Sequence, residues 1–459
     1  MKKILMLSSS WGSEYTKTII DGIREQLAAD CEDFELHICN SYDDWDDCAY
    51  FAKDQEIFTL PDPDDYDGLI LCFNSVKKLK RIDEVAAIFT EKGKPIVSID
   101  KQFEGATFCG LDNYRSMYSI VEHMVTIHDC RTLNYVGGPI DHEEDIERFR
   151  AYSDCLKAHG ITIDPKRILH KGFMREDGEK AYNEFKAYDY HMPDVVICAN
   201  DMMAVGYTDA AVRDGILVPD YLKVTGFDDS FAAIGHSPSI TSVNRNWKQL
   251  GKDAVIALFA ELNGQKYHLS RYTEGYTSFH ESCGCEETRD ILAYYNQLVT
   301  ANTQHQTNGA NQMHVRQLLI SSRSYKDFQK GLKTGREDLG YADIAVFSSS
   351  VFRDSGLIDD YEGYSDEFDM FTENEFKQVR RNEFLYPAEW KAQGENTFLF
   401  SSLHYCNCTI GYSVMPYRSN FLSRIKLRTL NEGLSLSLGN IIMRRYITSL
   451  KKQLKETQK

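Results

Sequence analysis

The stretch "VTGFDDS", residues 224–230, sets Asp228, Asp229 and Ser230 directly after an apolar, β-branched run. Two chemistries fit acids in that place. A turn aspartate accepts hydrogen bonds from neighbouring backbone N–H groups. An aspartate at the carboxyl end of a strand in a parallel α/β sheet stands where such sheets hold ligands, and its oxygens can grip hydroxyl groups. The residue types leave both readings open for Asp228; for Asp229 the turn-capping role is the expected one. Other reactive constellations are missing: the chain contains no G-x-S-x-G, H-E-x-x-H or P-loop pattern, and His236 in "IGHSPS" reads as a loop histidine. Two Cys-x-Cys pairs, Cys283/Cys285 and Cys406/Cys408, offer four thiolates. Their spacing is tighter than the usual C-x₂-C knuckle and more than a hundred residues separate them, so no metal and no cofactor is assigned.

Composition narrows the classes. The chain has 459 residues, of which 42% are hydrophobic and 12% aromatic, enough for packed interiors and too many for one ordinary core. A net charge of −17, from 69 acids against 52 bases and without a Lys/Arg block, argues against direct nucleic-acid binding by these residues. The densest charge lies between Tyr42 and Gly68. There "DPDDYDG" has the composition of a calcium loop, but its glycine falls one place late and Phe73 stands where a bidentate Glu is required, so the stretch reads as a solvated surface. The amino-terminal apolar run is too short for a signal peptide and no eighteen-residue apolar run occurs. Together with 12 cysteines, several of them in strand candidates, this predicts a cytoplasmic protein without a membrane span.

From residue 3 to about 246 short apolar runs alternate with amphipathic stretches. "KILMLSS", "FELHICN", "DGLILCFN", "KPIVSID", "TLNYVGG", "DVVICAND" and "KVTGFDD" read as strands, and "TIIDGIREQLAAD" and "MMAVGYTDAAVRDG" as helices. That alternation predicts doubly wound parallel sheets in two similar lobes. Past Cys285 the texture changes to a polar, helical linker, 286–320. An α+β region, 321–420, follows with a hairpin in "NTFLFSSLHYCNCTIGYSVMP", and then a long helix over 421–459. Leu436, Met443, Ile447, Leu450 and Leu454 form a heptad-like seam on that helix. Its first half is expected to pack on the preceding sheet and its end against a second helix, which predicts a homodimer.

The segment 198–251 resembles the effector-binding half of the lactose-repressor and galactose-repressor family. The resemblance rests on "AND" before a small-residue helix start, "DGILVPD" before a strand, "VTGFDD" ending it and "SPSITSVNRN" beyond. It extends over residues 1–285 and implies a two-lobed type I periplasmic-binding-protein fold whose lobes close on a small polar effector. It also implies ligand contacts at Asp228, Asn200 and Arg148, the last in "RFRAY", where Ala151-Tyr152 replace the usual glycine-phenylalanine. Asp100, Asn74, Ser9, Trp11 and Tyr15 follow on the first lobe, and Phe173 on the second. A carboxylate, an amide and a guanidinium beside an aromatic face suit a sugar. Truncating Asp228 or Arg148 is expected to cost affinity with little loss of folding stability.

Repressors of that family open with a DNA-reading helix-turn-helix, whereas here a strand begins at residue 3. The arrangement is similar to chimeric sensors that drive an AraC-type or diguanylate-cyclase output, and 321–420 resembles their GAF-like module; no "GGDEF" or "GGEEF" occurs. The reading is therefore a non-enzymatic ligand sensor that passes lobe closure to a carboxy-terminal output. Its alternatives are an enzyme acting on a sugar or nucleoside held by the acids, and a protein-binding co-regulator with a vestigial cleft.

Overall fold

The computed structural model describes residues 1–9, 14–41, 53–73, 80–188, 191–265, 270–285, 313–339, 343–358, 363–381, 385–418 and 424–457. The chain divides into two compact units. The first comprises Met1–Gly110, Trp247–Arg271 and Asn302–Lys459; the second comprises Leu111–Asn246 and Tyr272–Ala301. Trp11, Asn74 and the 286–312 part of the linker lie outside the described residues.

The first unit is built on an eleven-stranded sheet. From the edge strand Arg271–Thr273 its order runs Thr107–Leu111, Ile96–Ile99, Gly68–Cys72, Lys2–Ser9 and Phe34–Ser41, all parallel among themselves from Thr107–Leu111 onward. Lys2–Ser9 explains why: Ile4 and Met6 enter one core while Leu5 and Leu7 enter another on the opposite face. A strand apolar on both sides must be covered twice. Helices Glu14–Asp30 and Trp247–Leu262 supply apolar side chains to the first core, and helix Lys80–Glu91 to the second.

The α+β region continues this sheet. Strand Thr397–Tyr405 pairs in parallel with Phe34–Ser41, placing Phe398 beside His37 and Phe400 beside Cys39. Antiparallel strands Cys408–Pro416, Ala345–Ser349, Glu367–Phe371 and Phe376–Arg380 complete it. The hairpin turns at Cys406, whose φ is 52°, as its sequence suggested. Arg24 Nε donates to Thr397 Oγ1 at 3.2 Å and Tyr417 Oη to Asp21 at 3.0 Å, tying this region to the first helix. Residues of 321–420 thus share one sheet and one core with Met1–Gly110.

The acidic surface expected before Gly68 needs correction where it is described. Asp54, Gln55 and Glu56 are buried in the short 3₁₀ helix Lys53–Thr59, with Glu56 paired to Arg81 at 3.0 Å and Asp54 facing His404 at 3.4 Å. Charges this deep persist only with partners. Helix Arg424–Thr457 buries Leu427, Leu430, Leu434, Leu438, Ile441 and Ile442 in the core, whereas Ile447, Leu450 and Leu454 are exposed. Among the described residues no helix is long and apolar enough to cross a membrane.

The second unit carries a four-stranded parallel sheet ordered Ile168–His170, Leu133–Gly137, Val195–Cys198 and Lys223–Thr225. A two-stranded piece, Ser242–Asn244 with Tyr276–Ser278, completes it, and isolated bridges Thr225–Thr241 and Asp228–Asn244 continue the strand direction. Helices Arg175–Ala187 and Asp201–Arg213 cross through glycine: a Cβ on Gly178 would stand 2.0 Å from Met203 O, and one on Gly206 1.9 Å from Arg175 O. Backbones this close leave room for hydrogen only. The first unit repeats the device in helices Glu14–Asp30 and Trp247–Leu262, with Gly22 against Lys248 O and Gly251 against Ile19 O.

Candidate functional site

In the second unit the acids that end "VTGFDD" separate into different roles. Asp228 has φ 109° and Asp229 φ 51°, both in a backbone region that side chains rarely adopt. This double kink turns the two carboxylates apart. Asp229 is buried and accepts hydrogen bonds from Asn244 Nδ2 and Ser278 Oγ, each at 2.8 Å, and lies 3.2 Å from His280 Nε2. These contacts pin the crossover strands. The cap of the following turn is Ser230, whose Oγ accepts from Ala233 N at 3.4 Å.

Asp228 points into a charged cluster with a third of its side chain open. Arg245 Nη1 donates to it at 3.4 Å and also reaches Glu144, on helix Glu143–Ala158. Arg148, one helical turn beyond Glu144, is the buried hub: Nε donates to Asn113 Oδ1 at 2.9 Å, Nη1 to Ala199 O at 2.8 Å and Nη2 to Glu144 at 3.1 Å. Its guanidinium lies 3.8 Å from the centre of the Phe227 ring. Only 2% of the Arg148 side chain is exposed, so three polar partners and a ring compensate the burial of a full charge. That commitment overturns the expectation that Arg148 could be truncated with little loss of stability.

The charges shift one another. Burial raises the Asp228 carboxyl above its ordinary range, against the pull of Arg245 and Arg148. Burial and then the charge of Asp228 push neighbouring Asp201 well up, although Ser230 N donates to it at 2.6 Å. Burial works against Glu144 too, but Arg245 and Arg148 outweigh it and hold that carboxyl down at about 2. The cluster therefore presents a firmly ionised Glu144, two fixed cations and an Asp228 whose negative form the fold disfavours. An incoming hydroxyl or amine can donate to Asp228 where its present partners only partly satisfy it.

Asn200 is the N-cap of helix Asp201–Arg213: its Oδ1 accepts from Met203 N at 3.0 Å and its Nδ2 donates to Phe173 O at 2.9 Å. Phe173 thus borders the same strand end, its ring lying over Gly138 and 4.9 Å from the ring of His142. Arg245, Glu144 and Asn113 escaped the sequence reading. Arg245 stands inside the quoted "SPSITSVNRN", and Glu144 exactly one helical turn before Arg148, the two signals that could have found them.

In the first unit Asp100, with φ 61°, accepts a hydrogen bond from Tyr15 Oη at 3.1 Å. The Tyr15 ring packs edge-on against Trp247 at 4.6 Å. Ser9 is buried at the end of its strand, and its Oγ has no partner among the described residues; the same holds for the side-chain amide of Asn40 on the neighbouring strand. Asp100, Ser9 and Asn40 all stand at carboxyl ends of parallel strands, and sequence reasoning missed Asn40.

Parallel strands with polar side chains at their carboxyl ends put both units in the α/β class. Residues 121–279 match the periplasmic binding protein-like domain family. Among curated relatives, the HTH-type transcriptional repressor PurR of Pasteurella multocida is 28% identical over 136 residues, which are 30% of this chain and 40% of that protein. The HTH-type transcriptional repressor CytR of Escherichia coli is 26% identical over 155 residues, 34% of this chain and 45% of the relative. The matched stretches thus span less than half the length of these relatives. The solved structure of a putative transcriptional regulator LacI from Bacillus cereus subsp. cytotoxis shares 20% identity with a TM-score of 0.47, covering 63% of this chain and 100% of that one. The Escherichia coli transcriptional repressor ascG shares 18% identity with a TM-score of 0.45, covering 61% and 99%.

Proposed function

We propose that the chain is a cytoplasmic, non-enzymatic regulatory protein that binds a small polar effector, a sugar or nucleoside, at the Asp228 cluster. The observation that carries this reading is the partly open Asp228 carboxylate, held at a strand end between Arg245 and the Glu144–Arg148 pair with its ionised form disfavoured. Such a group gains from a hydroxyl donor, and Glu144 and Arg245 offer an acceptor and a donor beside it. Asn200 and Phe173 form the remaining wall of this reading. Arg148 acts here as a positioning residue, because its side chain is buried under its own partners.

In the same reading, 286–320 is a linker, 321–420 is a GAF-like relay and 421–459 is the signalling helix of a homodimer serving a transcription-regulatory output. The test is thermal shift and calorimetry of the full chain against a panel of monosaccharides, disaccharides and nucleosides, with the bound compound recovered for mass analysis. A hit that is recovered unchanged and weakened about tenfold or more by Asp228→Asn supports the proposal. A hit indifferent to Asp228→Asn refutes the site, and a chemically altered compound refutes the non-enzymatic reading.

A further inference from the structure

A second cluster of reactive groups in the second unit has no part in that reading. His123 lies in the last turn of helix Asn113–Thr126 and His128 just beyond it, while Cys283 and Cys285 flank Gly284. Gly284 has φ 89°, a left-handed conformation suited to glycine, and it brackets the two thiols within one tight turn. His123 Nε2 and His128 Nε2 are 3.1 Å apart, and Cys285 Sγ is 3.4 Å from the first and 3.3 Å from the second. One ligand atom from each of the four residues falls within 4.8 Å of all the others. Cys283 is fully buried and the other three are half-buried.

We propose that His123, His128, Cys283 and Cys285 form a tetrahedral binding site for one divalent transition-metal ion of zinc type. Ordinary zinc bonds of about 2.0–2.1 Å to nitrogen and 2.3 Å to sulfur at tetrahedral angles require ligand–ligand edges of about 3.3–3.8 Å. The three short separations in the cluster lie at or just under those edges. Two imidazole nitrogens at hydrogen-bond distance can share only one proton, and the same thiol faces both, so a common acceptor of their lone pairs satisfies all three groups at once. Two thiolates and two neutral imidazoles balance a 2+ charge, and binding releases the two thiol protons to solvent. An S₂N₂ donor set selects zinc-like ions over magnesium or calcium, which take oxygen ligands.

The surroundings hold the donors in place. Phe279 packs its ring 4.4 Å from that of His123, and Cys283 Sγ contacts His280 O at 3.5 Å, beside the Asp229 carboxylate that anchors His280. The ion would fasten the end of the Tyr276–Cys285 stretch to the helix Asn113–Thr126, a closed structural site without an open position for substrate. It also replaces the pairing considered from sequence, since Cys406 and Cys408 belong to the other unit.

The test uses the full chain, stripped with a chelator under reducing, anaerobic conditions and titrated with zinc and with cobalt. One equivalent of zinc, a thiolate-to-cobalt charge-transfer band with the strong visible bands of a tetrahedral site, and a raised melting temperature are expected. Affinity should fall by about 100-fold or more in Cys285→Ser and His128→Gln and stay unchanged in Cys406→Ser. Should either site variant fail to fold, differential alkylation of the wild-type chain decides: zinc should protect Cys285 and leave Cys406 reactive. Absent stoichiometric binding, a weak octahedral cobalt spectrum, or equal labelling of Cys285 with and without zinc would each overturn the proposal.

Discussion

Replacing Arg148 by methionine keeps most of the stem and removes the guanidinium from the centre of the polar cluster. Ala199 O and Asn113 Oδ1 each lose a charged donor, Glu144 loses one of its two arginines and the Phe227 ring loses its cation. An unsatisfied buried acceptor costs about 1–3 kcal/mol, and breaking a buried ion pair about 3–5 kcal/mol. These terms overlap, because Glu144 retains Arg245 and part of it stays open to water, so a net loss of about 3–5 kcal/mol is expected. With a urea slope of about 2–3 kcal/mol/M, the midpoint of the transition reporting the second unit should fall by roughly 1–2.5 M. Arg148→Lys should recover only part of that loss, since an ammonium cannot span three partners set in different directions. Asp228→Asn should leave stability unchanged or raise it, because the fold disfavours the charge it removes. Urea titrations followed by circular dichroism and tyrosine fluorescence measure all three, with the exposed Lys157→Met on the same helix as control. An Arg148→Met midpoint equal to that of Lys157→Met would show that the guanidinium does not hold the cluster together.

Three other outcomes follow from particular contacts. Gly178→Ala and Gly206→Ala, which in an open helix would stabilise by about 1 kcal/mol, should instead destabilise by about 1–3 kcal/mol, since each new methyl meets a backbone carbonyl; stabilisation by either, in thermal melts, would refute the close crossing. Glu35 and Glu144 are both held at about 2 against an ordinary 4.5, in Glu35 because hydrogen bonds from His37 and Lys391 overcome the opposing effect of burial. A depressed folded value contributes its full stability above the unfolded value and loses it as pH falls, so unfolding free energies from urea titrations should drop between about pH 4.5 and pH 2, by at most about 3 kcal/mol per carboxyl. Glu35→Gln should flatten that drop, and parallel profiles for variant and wild type would exclude it. Finally, Ile447, Leu450 and Leu454 are exposed in one helix, so Leu450→Cys, with Cys31 and Cys406 changed to serine, should crosslink between copies; a monomer at micromolar concentration without crosslinks would show that the seam pairs with nothing.

What the sequence disclosed follows the reach of each physical signal. Strands such as Lys2–Ser9 and Val195–Cys198 are unbroken apolar runs because both faces are covered, and that pattern is local enough to read. The position of Asp228 is local too, being fixed by the strand it ends. Its surroundings are not: Arg245, which donates to Asp228, also holds Glu144, 101 residues away, and neither stretch by itself says that the two meet. The sheet shows the same limit. Phe34–Ser41 carries Glu35 and His37 among Phe34, Leu36 and Ile38, and both are buried because Lys391 approaches from 356 residues away and Thr397–Tyr405 closes over the edge. Buried charges in a central strand are themselves a trace of such a distant partner, since burial without one would cost several kcal/mol. The cysteines make the point most sharply. Cys-Gly-Cys was conspicuous, but its spacing matched no knuckle because the other half of its donor set stands at the end of a helix, with His128 157 residues before Cys285. A donor set divided between a helix end and a glycine turn becomes visible only once the fold has brought the two together.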